Sequence, residues 1–222
     1  KIMYIAPYAV FTLISATVAE FGFSILQTLL LYSVTVIAGL AVLTFVEYPI
    51  LLKIFTKVPV YKFFKLQRQV IAVAFSTSSS AATLPVTMDI CEKKLGVPNR
   101  IASFVLPLGT TVNMDGTALY QAVAAMFIAQ VYGFDLNLTQ QLTIVLTAAL
   151  AAVGTAPVPG IGLIMLIIVL KSVGVPEEGI ALIIGVDRIL DMCRTVPNVI
   201  ADSLACVVIA SSEGELRELS NE

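Results

Sequence analysis

Five polar side chains at helical spacing lie inside an apolar stretch near the end of this sequence. They are Asp187, Asp191, Arg194, Asn198 and Asp202. Their spacing puts all five on one face of a helix whose other residues are mainly Ile, Leu and Val. Ionisable groups at membrane depth cost several kcal/mol each, so they almost always face a partner, a ligand or water. This polar stripe therefore indicates a pathway for ions and a charged solute.

The composition is that of a multi-pass protein of the lipid bilayer. Of the 222 residues, 58% are hydrophobic and only 13% are charged, with a mean hydropathy of +0.96, whereas soluble domains carry about 25% charged residues. The length allows about five or six helical spans of about 20 residues. With no histidine and no CxxC pairing, neither a zinc site nor a disulfide framework is indicated. No basic patch with interleaved aromatic residues points to a nucleic acid.

Residues 1–60 are predicted to form two membrane helices. The first runs from Ile5 to Ala19, and the second from Phe23 to about Val46 and onward through Glu47-Tyr48-Pro49 to Phe55. A basic loop without acidic residues follows, and its excess of positive charge places it on the cytoplasmic side. The basic residues of this loop are Lys53, Lys57, Lys62, Lys65 and Arg68.

Residues 61–222 are predicted to form a transport core that begins with a re-entrant helical hairpin over residues 62–91. An apolar half from Val70 to Phe75 meets the polar run Ser76–Ser80, and a second short half ends near Ile90. Neither half is long enough to span a bilayer, and basic loops flank the pair on both sides. The segment is therefore expected to enter and leave from the cytoplasmic side.

The remainder of the predicted core repeats this order. A broken helix over residues 100–132 is interrupted at Asn113–Thr117, and a second re-entrant hairpin over residues 138–171 has its tip at Gly154–Gly162. A final helix over residues 178–211 carries the polar stripe and precedes an acidic tail that we expect to fray. Two interrupted segments in corresponding halves are typical of an inverted-repeat transporter. The predicted fold class is thus an all-α, multi-span transporter with two re-entrant hairpins and broken helices.

The three polar breaks offer different ligand chemistry. In the run Asn113–Thr117, residues that oppose helix continuation free main-chain carbonyls beside an amide and a carboxylate, which suits a hard cation; a kink satisfied by neighbouring helices is the alternative. The hydroxyl and N–H groups of Ser76–Ser80 suit an anionic carboxylate, unless the run is only a loop. The tip Gly154–Gly162 is either a lid with exposed carbonyls or a tight extracellular turn.

Arg194 and Asp191 together predict a solute with charges of both signs. The guanidinium offers a bidentate fork to a carboxylate, and Asp191, one turn earlier, can hold an ammonium group. The alternative is an internal Asp191–Arg194 ion pair without a ligand. Pro197 deletes the hydrogen bond to the carbonyl of Cys193 and is expected to kink the helix between Arg194 and Asn198.

These motifs in combination resemble the glutamate/aspartate:cation symporters, the family of the archaeal aspartate transporters and the excitatory amino-acid transporters. The resemblance runs over the whole chain and implies that the chain corresponds to the second half of the family's fold, without the first four spans. The motifs that carry the resemblance are Ser78-Ser79-Ser80 with Thr83-Leu84-Pro85, Leu106-Pro107-Leu108-Gly109, Asn113-Met114-Asp115-Gly116-Thr117, Gly154-Thr155 with Val158-Pro159-Gly160, and Asp191 with Arg194-Thr195 and Asn198.

The resemblance implies roles for individual residues. Arg194 would bind the side-chain carboxylate of the substrate, and Asp191 its amino group. The set implied for L-aspartate or L-glutamate is Ser78, Ser80, Thr117, Val158, Gly162, Asp191, Arg194, Thr195 and Asn198. The sets implied for sodium ions (Na+) are Gly109, Asn113, Asn198 and Asp202; Thr111, Ala152, Val153 and Thr155; and Asn113 with Asp115.

This sequence departs from the family's pattern in three respects. Ser78 and Met192 stand where members often carry an arginine, which implies that the substrate-binding arginine is restrained differently. Gln121 stands where proton- and potassium-coupled animal members have a glutamate, which implies sodium coupling without potassium counter-transport. Pro197 is unexpected beside Asn198 and puts the Asn198 carbonyl in question as a sodium ligand.

The resulting prediction is a sodium-driven symporter for aspartate or glutamate that works by alternating access, with the second hairpin as extracellular gate. The resemblance further implies a homotrimer in the plasma membrane. The alternatives are a proton-coupled dicarboxylate or glutamate carrier of the same family and a non-transporting membrane scaffold, in which the buried charges would have no purpose. An enzyme is not expected. An intramembrane aspartyl protease needs a Gly-x-Gly-Asp motif, and Gly185-Val186-Asp187 lacks its second glycine.

Overall fold

The computed structural model describes residues 6–220, and the α-helix is the dominant element throughout this range, which contains no β-strand. The predicted all-α class is therefore confirmed. The predicted start of the first helix at Ile5 lies outside the described residues.

A long apolar helical stretch follows the first helix. Helix α1 comprises Ala6–Phe21, and the next stretch joins α2 (Ser24–Val42), a π-helical turn (Leu43–Glu47) and α3 (Tyr48–Phe55) without interruption. Among the described residues, Ile25–Phe55 and Glu177–Ser212 are long and apolar enough to cross a membrane, with mean hydropathies of 2.4 and 1.4.

Shorter helices meet at a serine-rich connection. Helix α4 (Val60–Leu66) leads into α5 (Arg68–Thr77), and only Ser78 and Ser79 separate α5 from α6 (Ser80–Lys93). Residue 62, the predicted start of the first hairpin, lies in α4. Ser78 has a φ of 51°, in the left-handed region that ends helices. Ser79 caps α6 by accepting the N–H of Ala82 at 3.1 Å. The left-handed backbone of Ser78 and the side-chain cap of Ser79 therefore define the turn between α5 and α6.

A second set of breaks follows later in the chain. Asn113 and Met114 adopt non-helical backbone angles between two helices. Asn137 and Gln140 form a reciprocal capping box at the start of another. The elements are α7 (Asn99–Val112), α8 (Asp115–Val131), α9 (Leu138–Val153), α10 (Ile161–Ser172), a 3-10 turn (Glu177–Gly179) and α11 (Ile180–Ser212).

Helix α11 is the element around which the others pack. It contacts α1, α2, α3, α5, α6, α7, α8 and α10. Its residue Leu190 belongs to an apolar cluster shared with α2, α8, α9 and α10, whereas Val199 and Ile200 belong to a second cluster built by the π-helical turn and α3–α7. Helical structure continues through Pro197. The polar stripe of α11 is thus enclosed by two hydrophobic clusters.

The prediction of a frayed tail is wrong as far as Ser220. The N–H of Arg217 donates to the carbonyl of Gly96 at 2.9 Å, and that of Ser220 to the carbonyl of Lys94 at 2.9 Å. Gly96 has a φ of +73°, and a Cβ there would lie 2.5 Å from the Arg217 carbonyl oxygen. Glycine is therefore needed for the tail to lie against this loop, a pairing between distant residues that local sequence patterns do not reveal.

Gly116 provides a sharp test of the contact between α8 and α11. A Cβ at this position would lie 2.6 Å from the Arg194 carbonyl oxygen and 2.9 Å from Cγ of Pro197. We expect Gly116→Ala to lower the free energy of unfolding by about 1–3 kcal/mol, because two backbones must separate. Thermal unfolding followed by far-UV circular dichroism measures the effect. Gly154→Ala is the matched control, because the nearest atom there, Cε of Met165, is 3.6 Å away; equal melting temperatures for both variants would contradict the close approach.

Candidate functional site

The connection between α5 and α6 and the connection between α9 and α10 meet each other and α11 around a small cavity. The hydroxyl of Ser79 donates to the carbonyl of Pro157 at 2.8 Å, and the N–H of Ala81 donates to the same oxygen at 3.3 Å. The residues that line the cavity are Ser78, Ser80, Met114, Thr117, Thr155, Ala156, Pro157, Val158, Gly162, Asp191, Arg194, Thr195 and Asn198.

Every residue of the predicted substrate set lines this cavity, so the structure brings together positions that are up to 120 residues apart in sequence (Ser78 to Asn198). Their role in binding a substrate remains a prediction. The cavity measures about 20 Å³, which is room for about one water molecule. An amino acid therefore requires the walls to move apart.

Arg194 lies in the wall of the cavity and pairs with acidic side chains of its own helix. Its side chain is almost fully buried; Nε lies 3.1 Å and Nη2 2.8 Å from Oδ1 of Asp191. Nη1 lies 3.6 Å from Oδ1 of Asp187 and makes no hydrogen bond within residues 6–220. The structure thus contains the internal ion pair that the sequence left open as the alternative, with one donor of the fork unused.

Gly162 allows α10 to lie directly against this guanidinium. A Cβ at Gly162 would lie 2.7 Å from Nη2 of Arg194. Gly160, two residues earlier in the chain, has a φ of +82° and donates its N–H to Oδ2 of Asp191 at 3.0 Å. Asp191 therefore binds both Arg194 and the α9–α10 connection. These contacts within the protein keep the site closed.

Tyr120 is part of the site and was missed by the sequence analysis. Its hydroxyl donates to Oδ1 of Asp187 at 2.6 Å, and its ring centroid lies 4.1 Å from Cζ of Arg194. A cation over an aromatic face gains about 2 kcal/mol or more when desolvated. Gln121 donates from Nε2 to the carbonyl of Gly162 at 3.1 Å. A tyrosine three residues after Thr117 in an apolar helix reads as an ordinary core residue, so only its position in space identifies it.

The first predicted sodium set comes together only in part. Nδ2 of Asn113 donates to Oδ1 of Asp202 at 2.9 Å, and a Cβ at Gly109 would lie 2.6 Å from the same oxygen. The side chain of Asn198 is engaged elsewhere: it accepts the N–H of Gly116 at 2.7 Å and donates to Thr117 at 3.0 Å. No hydrogen bond within residues 6–220 joins the Asn198 side chain to Asp202, so these two side chains are not brought together directly.

Within this set, Asp202 gives the strongest indication of a cation site. Its carboxylate is buried, and it forms no salt bridge with a lysine or arginine of the described chain. A buried carboxylate without a counter-charge is costly, and a monovalent cation among oxygen ligands would remove that cost. No group of three His, Cys, Asp or Glu side chains lies together within residues 6–220, so a site for a transition metal is not indicated there.

The other two sodium sets are less complete. Thr111 is exposed, and its hydroxyl donates to the carbonyl of Leu108 at 2.9 Å. The hydroxyl of Thr155 donates to the carbonyl of Ala151, and its N–H to that of Ala152. In this arrangement no hydrogen bond links Thr111 to the end of α9, where Ala152 and Val153 lie. Asp115, of the third set, accepts a hydrogen bond from Tyr48 at 3.2 Å, while Asn113 faces Asp202.

The known proteins that this sequence resembles are transporters. The profile of the Sodium:dicarboxylate symporter family matches residues 1–212. A Proton/sodium-glutamate symport protein of Bacillus subtilis (strain 168) is 45% identical over 96% of this chain and 49% of its own length. Excitatory amino acid transporter 1 of Mus musculus is 45% identical over 94% of this chain and 39% of its own length. The chain therefore spans about half the length of these relatives or less. They are transporters rather than enzymes, as the sequence predicted.

Asp202→Asn tests the cation site directly. We expect Na+ to raise the melting temperature of the unaltered protein, and the Na+ concentration at half-maximal effect to increase roughly tenfold or more in the variant, since a neutral amide replaces the charged ligand. Asp135→Asn, in an exposed loop, is the control and should behave like the unaltered protein. The same Na+ dependence in both variants would eliminate Asp202 as a cation ligand.

Proposed function

This chain belongs to the Sodium:dicarboxylate symporter family, and we propose that it carries the substrate and ion sites of a symporter that takes up aspartate or glutamate with sodium. The observation that carries this proposal is the buried Arg194–Asp191 pair in the wall of the cavity, 2.8 Å apart. The pair presents one fixed positive fork and one carboxylate at the same place.

An acidic amino acid is the solute that matches this pair. Its side-chain carboxylate replaces Asp191 on the guanidinium, and its ammonium group replaces Arg194 on Asp191. Each buried charge then keeps an opposite partner, which avoids the cost of about 3–5 kcal/mol of leaving one partner of a buried pair alone. The unused Nη1 of Arg194 and the unpartnered hydroxyl of Ser78 are further donors for carboxylate oxygens.

Entry of this solute requires the α9–α10 connection to move. The N–H of Gly160 donates to Asp191 at 3.0 Å, and an ammonium group at Asp191 competes for the same carboxylate. We therefore assign the segment around Pro157 and Gly160 as the extracellular gate of an alternating-access cycle. Pro157 and Pro159 restrict the backbone of this gate, whereas Gly160 permits the positive φ at its end.

Sodium is the proposed driving ion, since cations at Asp202 and Asp115 would neutralise carboxylates that have no basic partner in the described structure. Binding of cation and solute then share free energy, because both sites use α11. The Bacillus relative is named for protons as well as sodium. A proton-coupled carrier of dicarboxylates or glutamate is therefore the second candidate.

The membrane arrangement forms part of the same proposal. Residues 1–60 supply two scaffold or linking helices, and residues 61–222 supply the transport core. Within the core, α5 with α6 and α9 with α10 are two re-entrant hairpins that enter from opposite faces as an inverted repeat. The site is then accessible in turn from either side of the plasma membrane, in a protein that assembles as a homotrimer.

Isothermal titration of the purified protein with L-aspartate and L-glutamate, at several Na+ concentrations and pH values, tests this function. We expect binding whose affinity rises with Na+ at constant pH. Affinity that rises with acidity and ignores Na+ would support the proton-coupled candidate instead. No heat with either amino acid under any of these conditions would refute the proposed function and would restrict the second candidate to dicarboxylates.

Arg194→Lys tests the specific role of the guanidinium fork. Lysine keeps the positive charge near Asp191 but cannot bind a carboxylate with two parallel hydrogen bonds. We expect aspartate affinity at saturating Na+ to fall roughly 10- to 100-fold, corresponding to the loss of a charge-assisted hydrogen bond of about 1.5–3 kcal/mol. Arg68→Lys, at an exposed position, should leave the affinity unchanged. Aspartate binding by Arg194→Lys equal to that of the Arg68→Lys control would refute the assignment.

A further inference from the structure

Tyr48 links the break between α7 and α8 to the substrate-lined helix α11. The residue is 2% exposed. Its hydroxyl lies 3.2 Å from Oδ2 of Asp115 and 3.3 Å from the carbonyl oxygen of Pro197. One phenol therefore connects α3, α8 and α11, and Tyr48 itself belongs to neither the predicted substrate set nor the predicted sodium sets.

The local backbone explains how this tyrosine is aimed inward. Pro49 has no N–H to donate to the carbonyl of Phe45, so the regular helical ladder is interrupted there. The chain forms a π-helical turn over Leu43–Glu47, and the N–H of Tyr48 donates to the carbonyl of Leu43. Such a turn accommodates one extra residue and re-aims the side chains that follow it. Glu47 is exposed as a result, and Tyr48 is buried.

The orientation of the Asp115 side chain depends on its hydrogen bond with the Tyr48 hydroxyl. No lysine or arginine of the described chain forms a salt bridge with Asp115, and Tyr48 is the only described side chain that donates a hydrogen bond to it. That bond engages Oδ2 and leaves Oδ1 without a side-chain donor. The phenol and the backbone N–H of Asp115 itself thus restrain the orientation of the carboxylate.

We propose that Tyr48 is a positioning residue for cation binding at Asp115: its hydroxyl holds Oδ2 so that Oδ1 faces a monovalent cation. The proposal rests on the proposed sodium coupling. A carboxylate held in one rotamer loses less side-chain entropy when the ion arrives, so the restraint favours binding.

The second acceptor extends this role to the substrate helix. Pro197 lies between Arg194 and Asn198, and its ring packs against the backbone of Gly116, where a Cβ would lie 2.9 Å from Cγ. The phenol therefore contacts the cation site and the α11 segment next to the substrate-lining residues at once. The main-chain carbonyl of Pro197 and Oδ2 of Asp115 share the single hydroxyl proton of Tyr48.

Tyr48→Phe removes the hydroxyl and keeps the ring, and Tyr61→Phe, at an exposed position on α4, is the matched control. Two measurements are made on the purified protein: the melting temperature as a function of Na+ without amino acid, and aspartate affinity as a function of Na+. We expect the half-maximal Na+ concentration to rise about three- to tenfold in Tyr48→Phe, as for the loss of one hydrogen bond. Aspartate affinity at saturating Na+ should be unchanged.

The outcomes separate this proposal from the proposed function. If the unaltered protein binds aspartate without regard to Na+, the sodium coupling itself fails. If it shows Na+ dependence and Tyr48→Phe shows the same half-maximal concentration or a lower one, the positioning role alone is overturned. Equal loss of aspartate affinity at all Na+ concentrations would indicate a general structural lesion and also overturn it. Tyr48→Met, which fills the space with an adaptable apolar chain, replaces Tyr48→Phe if that variant does not fold.

Discussion

The burial of charge on α11 is the constraint that shapes the rest of this molecule. Asp187, Asp191, Arg194 and Asp202 are nearly inaccessible to solvent, and each unpaired charge in such surroundings would cost several kcal/mol. Asp187 and Asp191 both pair with Arg194 beside the Tyr120 ring, and Nη1 of Arg188 lies 3.9 Å from Oδ2 of Asp191. Among residues 6–220, the amide of Asn113 is the one side chain that donates a hydrogen bond to Asp202. The first group is therefore suited to exchange partners with a charged solute, and the second to accept a cation.

The position of the polar stripe and of the helix breaks followed from the sequence for physical reasons. Helical periodicity fixes which face of α11 carries the charges, whatever packs against it. Asn113 and the glycines near residue 160 oppose regular helix locally, so the interruptions are visible without knowledge of the fold. Residues around these breaks line one cavity in the structure.

Other features depend on contacts between distant residues and could not be predicted from local patterns. Tyr120 and Tyr48 look like core aromatics in the sequence, and their hydroxyl partners, Asp187 and Asp115, are each 67 residues away. The tail was expected to fray because its composition is polar, yet its backbone bonds to the loop at Gly96. The direction of the Asn198 side chain, toward Thr117 rather than Asp202, is likewise set by the approach of α8 to α11.

The shared acceptor at Pro157 has a mechanical consequence. Its carbonyl receives the hydroxyl of Ser79 and the N–H of Ala81, so the two connections are fastened together at one oxygen. When one connection moves away from the other, both donors lose this acceptor, and incoming water can replace it. Water that enters between the α5–α6 and α9–α10 connections therefore lowers the cost of separating them.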